Sequence, residues 1–278
     1  MTPSRRPSHP WRKHYALPAE HGAWIWWIGP LLIGAAAARA LTADTLILAL
    51  AALAAFLLRQ PASIAVKALS GRRARMELAP AIVWCAVYGA CTLAAAAALV
   101  LRGHRQILWL ALPGVAVFAW HLLLISRREE RGQMGIELVG AGVLALAAPA
   151  AYWVSGGAAA AVGWTLWGIT WLQSAASIVT VYTRLAQRRL DTTPAPAERW
   201  RMSARGLAYH TFNLALGLAL AALGQVPWAV PAAFGLMLLE ALEGAVRPPV
   251  GARPAAIGFR QLGLSIAFLA IVAAGYLL

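Results

Sequence analysis

Gln173, Ser177, Thr180 and Arg184 fall at i, i+4, i+7 and i+11, which is one face of a helix. The stretch around them is apolar. A guanidinium deep in lipid costs about 2.5–3.5 kcal/mol, so such a stripe should face a bundle interior or a cavity. Two readings follow: the hydroxyls and amide bond their own or a neighbouring helix, or the face lines a ligand. A second basic set precedes it, with Arg59, then Lys67 eight residues on, then Arg72, Arg73 and Arg75. If both sets open on one cavity, they make an anion-binding mouth suited to phosphate or carboxylate.

Other polar groups lie at membrane depth. His210 and Asn213 are one turn apart and share a face, as helix–helix contacts or as ligand contacts. Glu240 and Glu243 also share a face, and Arg247, four residues after Glu243, is the expected partner. Glu137 stands where a helix N-terminus favours a carboxylate. His21, ahead of the first apolar span, is an interfacial hydrogen-bonding group or a titrating ligand contact. Trp164, Trp167 and Trp171 form a stripe that either packs or walls an isoprenoid or quinone. Cys85 and Cys91 are six residues apart, not a helical neighbour spacing, so no disulfide is expected. No Cys/His spacing fits a metal, and no cofactor is called for. His21 or Glu240 could serve as an acid or base, but neither has a recognisable triad or metal partner.

The elements that carry these residues are membrane spans. The 278-residue chain is 61% hydrophobic and 12% charged, against about 25% charged in soluble domains. Its net charge of +14 does not point to nucleic acid, because the cations sit in short loops between apolar spans. Nine spans are expected, at Ala23–Ala40, Thr45–Leu58, Ala79–Leu101, Ile107–Ile125, Gly135–Val154, Val162–Thr183, Gly206–Leu223, Trp228–Val246 and Ala255–Leu278. The second is short for a bilayer and must borrow turns from Ala40–Asp44 or from beyond Pro61. Residues 59–78 read as a basic loop with one amphipathic piece, and residues 184–205, with six arginines, as the longest internal loop. Alternating the connections between two sides puts Arg39, Arg102 and Arg105 on one side and the other 21 of 24 Lys and Arg on the opposite side. The expected topology is therefore an inner-membrane protein with a cytoplasmic N-terminus and a periplasmic or extracellular C-terminus. Residues 1–16 read as a mobile basic tail, and residues 17–278 as a single nine-helix transmembrane domain.

LPAEHGAWIWWIGPLLIG, residues 17–34, resembles the opening of the YwiC-like family of bacterial membrane proteins. The residues that carry the likeness are Pro18, Glu20, His21, Gly22, Ala23, Trp24 and Pro30, joined by Arg59-x-Pro61 and the basic stretch after it. This resemblance implies no particular activity. Nine helices, a first helix containing Trp and Pro, important loops after spans 2 and 6, and ERGQMGIEL before span 5 are also similar to the UbiA-type intramembrane prenyltransferases. That likeness implies an all-α, nine-helix UbiA-like bundle. Those enzymes hold a prenyl diphosphate through magnesium and two aspartate-rich motifs. This chain has two aspartates, Asp44 and Asp191. At the motif positions stand Arg59, Gln60 and Lys67, then Ser177, Thr180 and Arg184. Without clustered carboxylates, magnesium-dependent prenyl transfer is not expected. Cations in their place would hold an anion without metal.

The expected function is binding of a lipid-like or anionic amphipathic ligand in a central cavity. The candidate lining is Arg59, Lys67, Gln173, Ser177 and Arg184, with His21, His210 and Asn213 beside them. Membrane lipid, an isoprenoid, a quinone or a small anionic ligand are the expected partners. A small-anion transporter or exporter, and an assembly factor for a respiratory complex, are the alternatives.

Overall fold

The computed structural model describes residues 13–17, 24–129 and 134–278, and no strand occurs among them. The helices are α1 (Lys13–Ala16), α2 (Ile25–Ala38), α3 (Ala43–Leu69), α4 (Leu78–Leu101), α5 (Gln106–Arg127), α6 (Met134–Ala145), α7 (Ala147–Val154), α8 (Ala160–Gln187), α9 (Pro196–Ala222), α10 (Ala229–Val246) and α11 (Pro254–Leu277). Among the described residues each expected span contains helix. Six stretches are long and apolar enough to cross a membrane: α3, Arg75–Leu101, α5, Met134–Val154, α10 and α11. The helix α2 is apolar but only 14 residues long. The protein is an all-α polytopic membrane protein.

Three boundaries differ from the sequence reading, each for a physical reason. Residues 59–69 continue α3 straight through Pro61 instead of forming a loop. A 14-residue apolar span cannot cross about 30 Å of hydrocarbon, so the helix runs on through Arg59 and Lys67. The stretch 184–205 is mostly helix too. α8 reaches Gln187 and α9 starts at Pro196, which has no N–H to leave unpaired at a helix start. Span 5 is broken at Leu146 into α6 and α7. Pro149 cannot donate to the Ala145 carbonyl and its ring crowds it. The Leu146 N–H turns to the Val143 carbonyl (3.1 Å), and the Gly142 carbonyl accepts from Trp167 Nε1 (2.9 Å).

The chain forms two compact units. The first comprises α1 and α3–α5; the second comprises α2 and α6–α11. In the first, Tyr15 of α1 is buried with Ile64 and Ala81, and Tyr88 Oη donates to the Ala16 carbonyl (3.0 Å). Residues 13–16 are thus a docked helical turn where the sequence reading has a mobile tail. Only 11% of the most apolar windows of α4 and α5 is buried within the protein, as expected for helix faces solvated by lipid. One end of this unit gathers the exit of α3, where Arg72 Nη1 donates to the Ile125 carbonyl at the end of α5 (2.6 Å). The other end holds Asp44, paired with Arg102 and with His104 Nε2 (2.8 Å).

The second unit closes on Ile33 of α2, Ala148 and Tyr152 of α7, Leu166 and Ile169 of α8, Phe234 and Met237 of α10, and Phe268 and Val272 of α11. Gly34 lets α2 lie directly on α7, since a Cβ there would stand 2.1 Å from the Ala148 carbonyl oxygen. Arg39 ends α2 in the left-handed region (φ 52°), and its Nε donates to the Tyr276 carbonyl (2.9 Å). The C-terminal ends of α2 and α11 therefore share one face of the unit. The opposite face joins the ends of α8 and α10 to the starts of α9 and α11. There Arg188 Nε donates to the Ala252 carbonyl (3.0 Å) and Arg199 Nη1 to the Val246 carbonyl (2.6 Å).

Candidate functional site

The polar stripe of α8 is longer than its four expected members. Thr170, Gln173, Ser174, Ser177, Thr180, Arg184 and Gln187 are all buried. At 1.5 Å per residue this seam runs about 25 Å along the helix. Lipid forces each group to find a partner inside the protein. Thr170 Oγ1 and Ser174 Oγ donate back to the Leu166 and Thr170 carbonyls at 2.8 and 3.0 Å. Gln173 Nε2 reaches Ser177 Oγ (3.1 Å) and Ser265 Oγ of α11 (3.3 Å), and Gln261 Nε2 of α11 donates to Ser177 Oγ (2.9 Å). Gln173 and Ser177 thus tie α8 to α11. A cavity of about 20 Å³ lies beside them, bounded by Pro30, Ile33, Thr170, Ser174 and Phe268. That is room for about one water.

Both expected groups on α9 are buried against α8. His210 Nε2 lies 3.0 Å from Thr180 Oγ1, and Asn213 Nδ2 donates to the Leu172 carbonyl (2.9 Å). His210 Nδ1 and Asn213 Oδ1 have no hydrogen-bond partner among the described residues.

At the arginine-rich end the seam becomes ionic. The Arg184 side chain is 5% exposed and pairs with Glu240 of α10, whose side chain is 7% exposed. Arg184 Nη2 also donates to the Glu240 main-chain carbonyl (3.1 Å). Arg260 of α11 adds its Nε to the same carboxylate (2.9 Å) and pairs with Glu243. Glu243 is therefore matched by Arg260; Arg247, its expected partner, is exposed. A local i, i+4 pair lost to one across helices, where Arg260 reaches two carboxylates together. Arg184 is accordingly a neutralised cation rather than a bare one. Gly244 makes room for it, since a Cβ there would stand 2.5 Å from Arg184 Nη2. A second nook of about 10 Å³ opens beside the guanidinium, walled by Thr180, Thr183, Gln187, Ser203, Gly206 and Gly244. Gln187 Nε2 and Ser203 Oγ, on its rim, bond each other at 3.3 Å.

The remaining candidates are elsewhere. Arg59 and Lys67 are half-buried on α3, in the first unit. The Arg59 guanidinium stands 5.9 Å from the Phe56 ring centre, a cation–π contact. His21 lies outside the described residues. The tryptophan stripe packs α8 on α6: Trp167 and Trp171 rings lie 4.9 Å apart, and their Nε1 groups donate to the Gly142 and Leu138 carbonyls, both at 2.9 Å. Tyr182 Oη donates to Glu137 (2.8 Å). Among the described residues no three His, Cys, Asp or Glu side chains gather as a metal site would need.

Sequence reasoning missed Arg260, Gln261, Ser265, Gln187 and Ser203. Gln261 and Ser265 sit at i, i+4 inside an apolar span, which is the signal that would have found them. Arg260, near the start of the last expected span, reads as one more cation of the basic side.

No curated protein and no solved structure matches the chain. The family match stops within α7, so α8–α11 and their polar network lie beyond it. From the approach to α2 as far as that helix, residues 17–152 match the family described as YwiC-like protein.

Proposed function

We propose that this integral membrane protein holds an anionic group in the nook beside Arg184. One observation carries the reading: the Arg184 guanidinium, the Thr180 and Ser203 hydroxyls and the Gln187 amide converge on one small space, with two glycines keeping it open, while the Thr183 hydroxyl donates to the Val179 carbonyl. Those donors suit a phosphate, sulfate or carboxylate oxygen. The space is at most water-sized, so it takes in a single oxygen of an anion or headgroup whose remainder lies outside it, and not an isoprenoid body. The seam's length supports a second reading, movement of a small anion along α8, because about 25 Å approaches the hydrocarbon thickness of about 30 Å. We place the arginine-rich ends on the cytoplasmic side of the inner membrane, with the C-terminus outside, since basic residues are retained on the cytoplasmic side.

The test is equilibrium binding of methyl sulfate to the protein in phosphatidylcholine nanodiscs, with phosphatidylglycerol-containing nanodiscs as the headgroup arm. Arg184→Gln should weaken binding at least about tenfold, the loss of one charge-assisted contact. Equal binding by the wild type and Arg184→Gln rejects the site. Flux of methyl sulfate into proteoliposomes separates carriage from binding alone.

A further inference from the structure

We infer, resting on that reading, that the nook holds the phosphate of an anionic phospholipid, which reaches it sideways from the leaflet between α8 and α9. All but two of the residues around the nook are buried, and those two are Thr183 on α8 and Leu207 on α9. The nook therefore opens between these helices, while Ala241 and Gly244 of α10, both buried, close it within the bundle. One turn nearer the helix ends, Gln187 and Ser203 are buried and bond each other (3.3 Å). A solute coming along the helix axis would have to break that bond. The mouth also sits at the depth of a lipid phosphate. Thr183 is the last residue of the apolar stretch 162–183, and Leu207 is the second of the stretch 206–223. In a bilayer that is where hydrocarbon gives way to headgroups.

Shape and charge fit such an occupant. The nook takes in one oxygen, so the rest of a phosphodiester stays at the mouth and its chains lie against the lipid face of the protein. Leu207, Thr211, Leu214 and Leu218 fall at i, i+4, i+7 and i+11 of α9, and none of them is buried. That stripe leads from the mouth into the apolar run and gives an acyl chain its bed. Glu240 already offsets Arg184, so the phosphate needs a second source of positive charge. Arg188 stands one turn after Arg184, and Arg199 one turn before Ser203. Both bond main-chain carbonyls, and neither has a carboxylate partner among the described residues. Uncompensated arginines at the membrane surface favour anionic over zwitterionic lipid. A free anion meets the same donors but has no chain to hold it at a mouth rimmed by leucine.

Native mass spectrometry of protein released from nanodiscs of equal phosphatidylglycerol and phosphatidylcholine content reads the retained lipid. Wild type should keep about one phosphatidylglycerol, enriched at least about tenfold over phosphatidylcholine, the worth of one charge-assisted contact. Methyl sulfate in excess should strip it, since both need Arg184. Arg184→Gln should abolish the enrichment. Leu207→Trp and Thr183→Trp, each filling the mouth from one helix, should abolish it while keeping the far-ultraviolet circular dichroism of wild type. If wild type binds methyl sulfate through Arg184 yet shows no enrichment, the inference is overturned and the nook stands as a site fed from water. Enrichment that survives Arg184→Gln belongs to the surface arginines and overturns it too. Enrichment lost in Arg184→Gln but kept in either folded tryptophan variant refutes the sideways route. Wild type that binds neither probe removes the anion site and this inference together.

Discussion

Replacing Glu240 with alanine should destabilise the protein far more than replacing its partner Arg184. Glu240→Ala leaves the Arg184 guanidinium with a side chain 5% exposed and its carboxylate gone. An uncompensated buried charge of this kind costs about 3–5 kcal/mol. The reverse change is milder. In Arg184→Ala, Glu240 keeps Arg260, whose side chain is 46% exposed and whose Nε lies 2.9 Å from the carboxylate. The loss is then one charge-assisted contact, about 1.5–3 kcal/mol. Arg184→Met combined with Glu240→Leu removes both charges and keeps apolar volume, so it should fall within about 2 kcal/mol of wild type. Reversible unfolding by dodecyl sulfate titration in mixed micelles, followed by far-ultraviolet circular dichroism, gives all three values. The reasoning fails if the two single changes cost the same within about 0.5 kcal/mol, or if the double change costs as much as Glu240→Ala.

Gly34→Ala should cost the upper part of about 1–3 kcal/mol in the same unfolding assay, because its Cβ meets backbone that cannot step aside. Gly244→Ala pushes on the flexible end of Arg184, so it should cost less in stability yet weaken methyl sulfate binding; unchanged binding would remove Gly244 from the site. Trp167→Phe deprives the Gly142 carbonyl of its indole donor and should lower stability by about 1–2 kcal/mol, whereas Trp164→Phe, with Trp164 48% exposed, should change it by under about 0.5 kcal/mol. In a background with Cys85 and Cys91 replaced by serine, an impermeant maleimide should label Arg105→Cys in intact cells and leave Arg189→Cys unlabelled; the opposite pattern would invert the proposed topology.

The spans were legible because their signal is a composition that lipid imposes over about 20 residues. What that signal lacks is any account of where helix continues beyond the apolar run. Residues 59–69 and 196–205 stay helical although they carry Arg59, Lys67, Arg199, Arg201 and Arg205, and that polarity reads as loop. The stripe from Gln173 to Arg184 was legible because a single helix carries it at a fixed period. Its neutralisation by Glu240 was not, because that pairing joins residues 56 positions apart on separate helices. Glu243 shows the same limit: its near neighbour Arg247 looked sufficient, and only the packing of α10 on α11 brings Arg260 to it. The break at Leu146 was hidden for the opposite reason. Pro149 sat in plain view, but prolines are tolerated in membrane helices and do not announce which of them will interrupt one.

The order of elements along the chain has a consequence for biogenesis. α2 leaves the ribosome before any of its partners, since α3–α5 build the other unit and α7 follows more than a hundred residues later. At about 5–20 residues per second, α2 waits on the order of 10 s for the helix that Gly34 fits. With 14 residues it is too short to span the hydrocarbon comfortably by itself. Nascent chains stalled before residue 147 should therefore leave α2 in the keeping of the insertion machinery, crosslinkable to it, and release it only once α7 has emerged.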